Sequence, residues 1–237
     1  MKKKIIVAPL NWGLGHATRC VPIINSLIKN NFTPIIASDG NSLTFLQKEF
    51  SNLEVLELPS YTISYGKNLK LSLFLQAPKI CKAIKKEQTI ISTFIDKNQD
   101  VVGIISDNRF GVKSNKIPSV YITHQLNVLS GFTTFLTSKI HQKIINKFDE
   151  CWIPDNLNSE FSGKLSEGKK IKILHKYIGV LSRLKKEKKP RKIDVLVIIS
   201  GVEPNRTSLE KKLKKELSKS DKKIVLVQGK WNLNRKF

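Results

Sequence analysis

Three polar clusters in this 237-residue chain combine residue types that do chemistry, and each follows an apolar run. The first is Asn11-Trp12-Gly13-Leu14-Gly15-His16-Ala17-Thr18-Arg19, placed between Ile5-Ile6-Val7-Ala8 and the helically spaced Val21, Ile24, Leu27 and Ile28. A strand-to-helix turn holding two glycines can bring backbone amides close to a phosphate, with the positive end of the helix dipole behind them. His16 sits at the mouth of that turn, where a helix N-terminus favours a neutral ring able to accept a proton. The second cluster is Asp107-Asn108-Arg109 and the third His124-Gln125, each just past an apolar strand. Two such strand exits within twenty residues point to one cleft, although singly each also serves as capping and hydrogen-bond satisfaction.

The elements that must position these clusters alternate. Strands are predicted at 5–8, 33–38, 55–58, 101–106 and 120–123, with a first helix after the glycine turn that carries Val21, Ile24, Leu27 and Ile28 and further helices over 42–50 and 135–148, the former capped by Asn41 or Ser42 and the latter with Leu136, Ile140, Ile144 and Ile145 on one face. That alternation implies a parallel sheet with right-handed crossovers, whose ligands bind beyond the carboxyl ends of the strands. Residues 61–88 read as a basic, amphipathic helical stretch interrupted at Pro78, either an ordinary surface helix or a face for an anionic bilayer. Residues 156–176 read as polar and irregular. A charged linker with Pro190 marks a boundary, giving a first domain over 1–180, a linker over 181–192 and a second α/β domain over 193–237. This second domain has a strand at 193–199, a loop Ser200-Gly201-Val202-Glu203-Pro204-Asn205-Arg206-Thr207, a helix at 208–217 and a strand at 224–227. One β-α-β unit cannot bury a core of its own, so the expectation is a truncated second domain.

Composition narrows the class. The net charge of +23 implies affinity for polyanions, yet 36 of the 42 basic residues are lysine, and residues 181–237 alone hold 18 of the 42. Three scattered cysteines suggest neither a disulfide framework nor a zinc site, which favours a cytoplasmic setting. No apolar run approaches the roughly 18 residues of a membrane span.

Five ordered motifs together resemble the two-domain GT-B glycosyltransferases, specifically the MurG-like group, glycosyltransferase family 28. They are Gly13-Leu-Gly-His16-Ala-Thr-Arg19, Ser106-Asp-Asn-Arg-Phe-Gly111, Ile117-Pro118 running to Thr123-His-Gln125, Tyr177-Ile-Gly179, and Ser200 to Thr207. The resemblance implies a Rossmann-like, parallel-sheet N-terminal domain that binds the acceptor and an incomplete, second Rossmann-like domain that binds a nucleotide-sugar donor, a UDP-sugar above all. It implies transfer of a hexose to a hydroxyl without metal or further cofactor. His16 would assist deprotonation of the acceptor, with Asp107 as the alternative base. Gly13, Gly15, Thr18, Arg19, Asn108, Arg109, His124 and Gln125 would hold phosphate or acceptor, and Ser200, Gly201, Asn205 and Arg206 the donor. A lipid-linked acceptor, a peripheral position on an anionic membrane and a separate chain completing the donor domain are further expectations; a specific nucleic acid is not. The MurG pattern has an acidic residue where Gln125 stands.

Two rivals carry their own tests. A dinucleotide-dependent oxidoreductase would use Asp39, about 20 residues past the glycines, although Thr18 replaces the third glycine of that fingerprint. A nucleic-acid-binding module rests on charge alone.

Overall fold

The computed structural model describes residues 2–62, 69–128, 134–157, 160–166, 171–201 and 204–228, with the backbone alone at 69–75 and 136. The chain divides into two compact units, 1–185 and 186–237.

The first unit is a seven-stranded parallel sheet in the order β3-β2-β1-β4-β5-β6-β7, built from β1 (Lys4–Pro9), β2 (Thr33–Ser38), β3 (Glu54–Glu57), β4 (Val101–Asp107), β5 (Ser119–Ile122), β6 (Glu150–Ile153) and β7 (Leu174–Tyr177). The helices are α1 (Leu14–Lys29), α2 (Gly40–Glu49), α3 (Leu69–Lys97) and α4 (Thr134–Ile145). Successive residues of the central strands feed opposite cores: Ile6 and Ile35 pack with Ile91 and Ile95 of α3, while Val7 and Ile36 pack with Ala17, Ile24 and Leu46 of α1 and α2. Burial on both faces is why these strands read as continuous apolar runs. Strand order reverses between β1 and β4, where the carboxyl ends open a crevice. In the register there Pro9 lies beside Asp107, and the Leu10 amide donates to the Asp107 carbonyl at 2.9 Å.

Several expected boundaries move. The second helix starts at Gly40, with Asp39 and not Asn41 or Ser42 at its N-cap. The Asp39 carboxylate makes no cap bond because Arg109 and Asn11 hold it, and the Asn11 side chain instead accepts from the Ser42 amide at 3.3 Å. The third helix runs through Pro78 without interruption, since burial along its later turns offsets one lost backbone bond. Over residues 76–97 the lysines 79, 82, 85 and 86 face out and Ile80, Ala83, Ile91 and Ile95 face in, as on an ordinary surface helix.

The fourth helix turns a different face inward. Ile140 is exposed, while Ser138, Gln142 and Ile145 are buried, because the backbone of residues 126–128 needs partners. The Val128 amide donates to the Ser138 hydroxyl at 2.9 Å, and the Gln142 amide donates to the Leu126 carbonyl at 3.2 Å. The stretch 156–176 is not wholly irregular: it contains a 3-10 turn at Gly163–Leu165 and the start of β7, a four-residue strand too short to show a period.

The second unit is a parallel pair, β8 (Val195–Ile198) and β9 (Ile224–Val227), joined by α5 (Asn205–Leu217). The helix begins three residues before its expected start, so Asn205, Arg206 and Thr207 form its first turn instead of the preceding loop; Pro204 already has helical dihedrals. Leu196, Ile198 and Val227 are exposed. The expected features at 63–68, Val202, Glu203 and 229–237 lie outside the described residues. Among the described residues no helix is long and apolar enough to cross a membrane.

Candidate active site

His16 lies in the first turn of α1, at the carboxyl end of the sheet, because Gly13 turns the chain sharply after β1. Gly13 holds φ +82°, a left-handed conformation that a side chain would strain. From that turn the His16 Nδ1 reaches 2.9 Å from Asp107 Oδ1, across the β1–β4 reversal. Arg19, one turn further along α1, clasps both Asp107 oxygens through Nε and Nη2. Its Nη2 also lies 2.9 Å from His16 Nδ1. One nitrogen cannot both donate to the carboxylate and accept from the guanidinium, and an unprotonated Nδ1 would set its lone pair against the Asp107 oxygen at 2.9 Å. The consistent arrangement is Nδ1–H donating to Asp107, which leaves the Nε2 lone pair as the proton acceptor.

Asp107 itself is wholly buried. Desolvation opposes its charge, but the Arg19 guanidinium and the His16 contact outweigh that and hold its pKa below the ordinary carboxylate range. A buried carboxylate behind His16 cannot meet an incoming hydroxyl. Asp107 is therefore corrected from alternative base to the anion that orients His16 and would balance its positive charge. Arg19, expected to touch phosphate or acceptor, is the countercharge of Asp107, and its Nη1 donates to His124 Nδ1 at 3.2 Å. Because a guanidinium only donates, His124 presents Nε2–H on its other side. Burial, followed by the charges of Arg19 and His16, lowers the His124 pKa and keeps it neutral.

His16 and His124 line a cavity of about 450 Å3. Among the described residues its apolar walls are Leu10, Trp12, Tyr61, Ile80, Phe110 and Val128, and its other polar groups are Asn108, Gln125 and His141. Asn108 is fixed by the Tyr121 hydroxyl, which donates to its Oδ1 at 3.0 Å, and Asn108 itself has φ +57°. Of the sequence-predicted residues, His16, Asn108, His124 and Gln125 converge here. Gly15 adjoins His16 with nothing within 4 Å of where a side chain would start. The Thr18 hydroxyl turns back to the Gly15 carbonyl at 3.1 Å and does not line the cavity.

Arg109 is corrected as well. Fully buried, it pairs with Asp39 and, through Nη1, with Glu87 Oε1 at 2.9 Å. The other Glu87 oxygen accepts from the Tyr61 hydroxyl at 2.7 Å and the Gly111 amide at 3.1 Å. Arg109 thus braces the loop after β4, and the Asp39 carboxylate that a dinucleotide reading would place on a ribose is held by Arg109 and Asn11. Sequence reasoning quoted Trp12 and Phe110 inside its motifs without giving them a role in the site, and it missed Tyr61 and His141. Only His141 carried a local signal, lying three residues after Ser138 and four before Ile145 on what is the inward face of α4.

In the second unit Ser200 and Gly201 are exposed just past β8. Asn205 and Arg206 follow in the first turn of α5, where Arg206 Nη1 donates to the Gln228 carbonyl at 3.0 Å and lies 3.9 Å from Glu210.

No family model and no curated protein matches this sequence. Its fold matches solved structures. One is a UDP-glucosyltransferase from Polygonum tinctorium capable of glucosylating indoxyl, with TM-score 0.60 and 12% identity over 95% of this chain and 65% of that one. Another is the glycotransferase of kitacinnamycin, with TM-score 0.62 and 12% identity over 100% and 68%. A third is a glycosyltransferase from Rickettsia africae ESF-5, with TM-score 0.56 and 16% identity over 95% and 68%. The shared architecture is the α/β, Rossmann-like GT-B fold, and the chain spans about 65% of the length of the Polygonum structure.

Proposed function

We propose that the protein transfers a sugar from a nucleotide-sugar, foremost a UDP-sugar, to a hydroxyl of an acceptor held in the first unit. The observation that carries this reading is the His16–Asp107 pair at the sheet reversal, with the His16 ring lining a cavity. His16 Nε2 takes the hydroxyl proton as the acceptor oxygen bonds to the anomeric carbon. The bond from that carbon to the β-phosphate oxygen breaks, and the nucleoside diphosphate leaves with its electrons. Asp107 stabilises the imidazolium so formed, as in other base–orienter pairs. The glycosyltransferases that share the fold support the donor class.

In this reading 1–180 is the acceptor domain, 181–192 the linker and 193–237 the donor-binding unit, with Ser200, Gly201, Asn205 and Arg206 on the diphosphate side. The narrower MurG-like assignment rests on the five sequence motifs, and it brings a lipid-linked acceptor as the competing substrate class. The outward lysines of α3 would then favour an anionic membrane surface, and co-sedimentation with anionic but not neutral vesicles tests that.

The central test measures UDP release from a panel of UDP-sugars with and without hydroxyl acceptors. Acceptor-dependent release that His16→Ala abolishes is expected. Release indifferent to His16, or thermal protection by NAD and not by UDP-sugars, would overturn the reading.

A further inference from the structure

The mechanism makes no use of Glu87, yet three consecutive residues of the loop beside the cavity are tied to that one carboxylate. Glu87 sits on α3 and is wholly buried. Its Oε1 lies 2.9 Å from Arg109 Nη1, and its Oε2 accepts from the Gly111 amide at 3.1 Å and from the Tyr61 hydroxyl at 2.7 Å. The Tyr61 hydroxyl in turn accepts from the Phe110 amide at 3.0 Å, so residues 109, 110 and 111 all lead back to Glu87. Loop and helix also meet without spare room. A side chain at Gly111 would begin 2.4 Å from the Ile84 carbonyl oxygen and 2.7 Å from Glu87 Oε2.

Phe110 is the member of that set whose ring the cavity meets most openly: it is half-buried, while Tyr61 is 3% exposed and backs it, with ring centroids 6.2 Å apart. Among the described residues the titratable and charged groups facing Glu87 are Arg109 of the loop after β4, Tyr61 of the segment after β3 and Asp39 at the end of β2. Lys85 and Lys86, beside it on α3, are exposed. A carboxylate suits this setting, because each hydrogen-bonding group that meets it donates. A protonated Glu87 must turn its O–H toward Arg109, or displace Tyr61 or Gly111 from Oε2, and either way the loop loses a tether. Burial raises the Glu87 pKa to about 7 against the pull of Arg109 and the Tyr61 and Gly111 hydrogen bonds, so both forms are populated near neutral pH.

Resting on the transfer reading above, which makes this the acceptor cavity, we infer that Glu87 is a positioning residue. Through Tyr61 and the Gly111 amide it sets the Phe110 ring in the wall that His16 shares, and a ring-bearing occupant binds more tightly when Glu87 is ionised.

The experiment is calorimetric titration of the full chain with 2-naphthol, without any sugar donor, at about pH 6 and about pH 8, where the probe stays uncharged. The wild type is expected to bind about fivefold more tightly at the higher pH, the scale of one net hydrogen bond, since an occupant that favours the ionised form is favoured by it in return. Glu87→Gln, uncharged throughout, is expected to bind at both pH values as the wild type does at the lower one. Tyr61→Phe keeps the ring and the Glu87 carboxylate but cuts the link to the Phe110 amide. It is expected to bind about fivefold more weakly than the wild type at about pH 8, and it decides the matter if Glu87→Gln does not fold. A pH slope as steep in Glu87→Gln as in the wild type would place the dependence on His16 or His124 and overturn the inference. So would a flat wild-type profile, the lack of saturable 2-naphthol binding, or wild-type affinity in Tyr61→Phe. Because no donor is present, the two readings fail separately. The expected binding pattern with no UDP release under any UDP-sugar removes the transfer reading and keeps the hold of Glu87 on the cavity. Acceptor-dependent transfer with binding indifferent to Glu87 removes this inference and keeps transfer.

Discussion

Arg19 and Asp107 show how much of the proposed base, His16, is held from behind. Replacing Arg19 by Leu leaves the buried Asp107 without its guanidinium countercharge, a change that costs about 3–5 kcal/mol in comparable sites, and the Arg19→Leu/Asp107→Leu double variant should recover part of it. Urea denaturation of the set checks this, and a double variant no more stable than Arg19→Leu would mean that Arg19 acts through its packing alone. For His16→Ala, loss of general-base assistance predicts a rate about 10²- to 10⁴-fold lower. Glu87 gives the molecule a pH dependence of opposite sign to that of Asp107. Desolvation raises Glu87 to about 7 against the pull of Arg109 and the Tyr61 and Gly111 hydrogen bonds, with Asp39 adding a repulsive charge. A raised carboxylate contributes stability that is complete below the unfolded value and lost as pH rises through the folded one. Asp107, being depressed, contributes above the ordinary carboxylate range and loses it only in acid. The first unit should therefore be more stable at about pH 5.5 than at about pH 8, and Glu87→Gln should flatten that slope even while lowering the plateau. Denaturation midpoints across that range decide it; an unchanged slope in Glu87→Gln would assign the dependence elsewhere.

At the scale of elements, the glycine turn ahead of α1 separates a folding requirement from a binding one. Gly13, at φ +82°, is needed by the backbone, so Gly13→Ala should destabilise the first unit by about 1 kcal/mol. Gly15 is helical, and open space surrounds the place where its side chain would stand. Gly15→Ala should leave stability unchanged or raise it by up to about 1 kcal/mol, and yet lower transfer if a substrate approaches the backbone there. Thermal melts and rates on the same two proteins test the division, and a Gly15→Ala variant with full activity would show that no ligand comes close. These elements also show what sequence could reveal. The doubly buried strands announced themselves as apolar runs, and the turn after β1 announced itself through its glycines, so the sheet and the place of His16 were legible. The side chains that line the cavity were not. Phe110 and Tyr61 are ordinary core residues until the fold brings 61, 110 and 141 together from three elements. Asp107 and Arg109 stood one residue apart from Asn108, and only burial and partner choice make one an orienting anion and the other a brace. The inward phase of α4 was hidden because it is polar, set by the backbone groups of 126–128 and not by apolar periodicity.

For the whole molecule, the two units have been built to different standards of burial. The first covers both faces of its central strands, whereas in the second Leu196 is 55% and Ile198 69% exposed on β8 and Val227 45% exposed on β9. Each large apolar side chain fully buried contributes roughly 1.5–3 kcal/mol, so side chains left this open forgo much of that gain. The second unit also carries a dense share of the basic residues, many of them on α5, where like charges at neighbouring positions repel. Both effects lower its stability, and salt relieves only the second. Denaturation should accordingly show two steps. The second unit should melt at lower urea, its midpoint rising with added sodium chloride as the lysines are screened, while the first unit, followed through Trp152, moves little. Trypsin at limiting dose should cut first within 183–192, where basic residues are exposed, and then within the second unit. A single transition for all probes, with 183–192 protected from cleavage, would show that the second unit draws its stability from more than its own strands and helix.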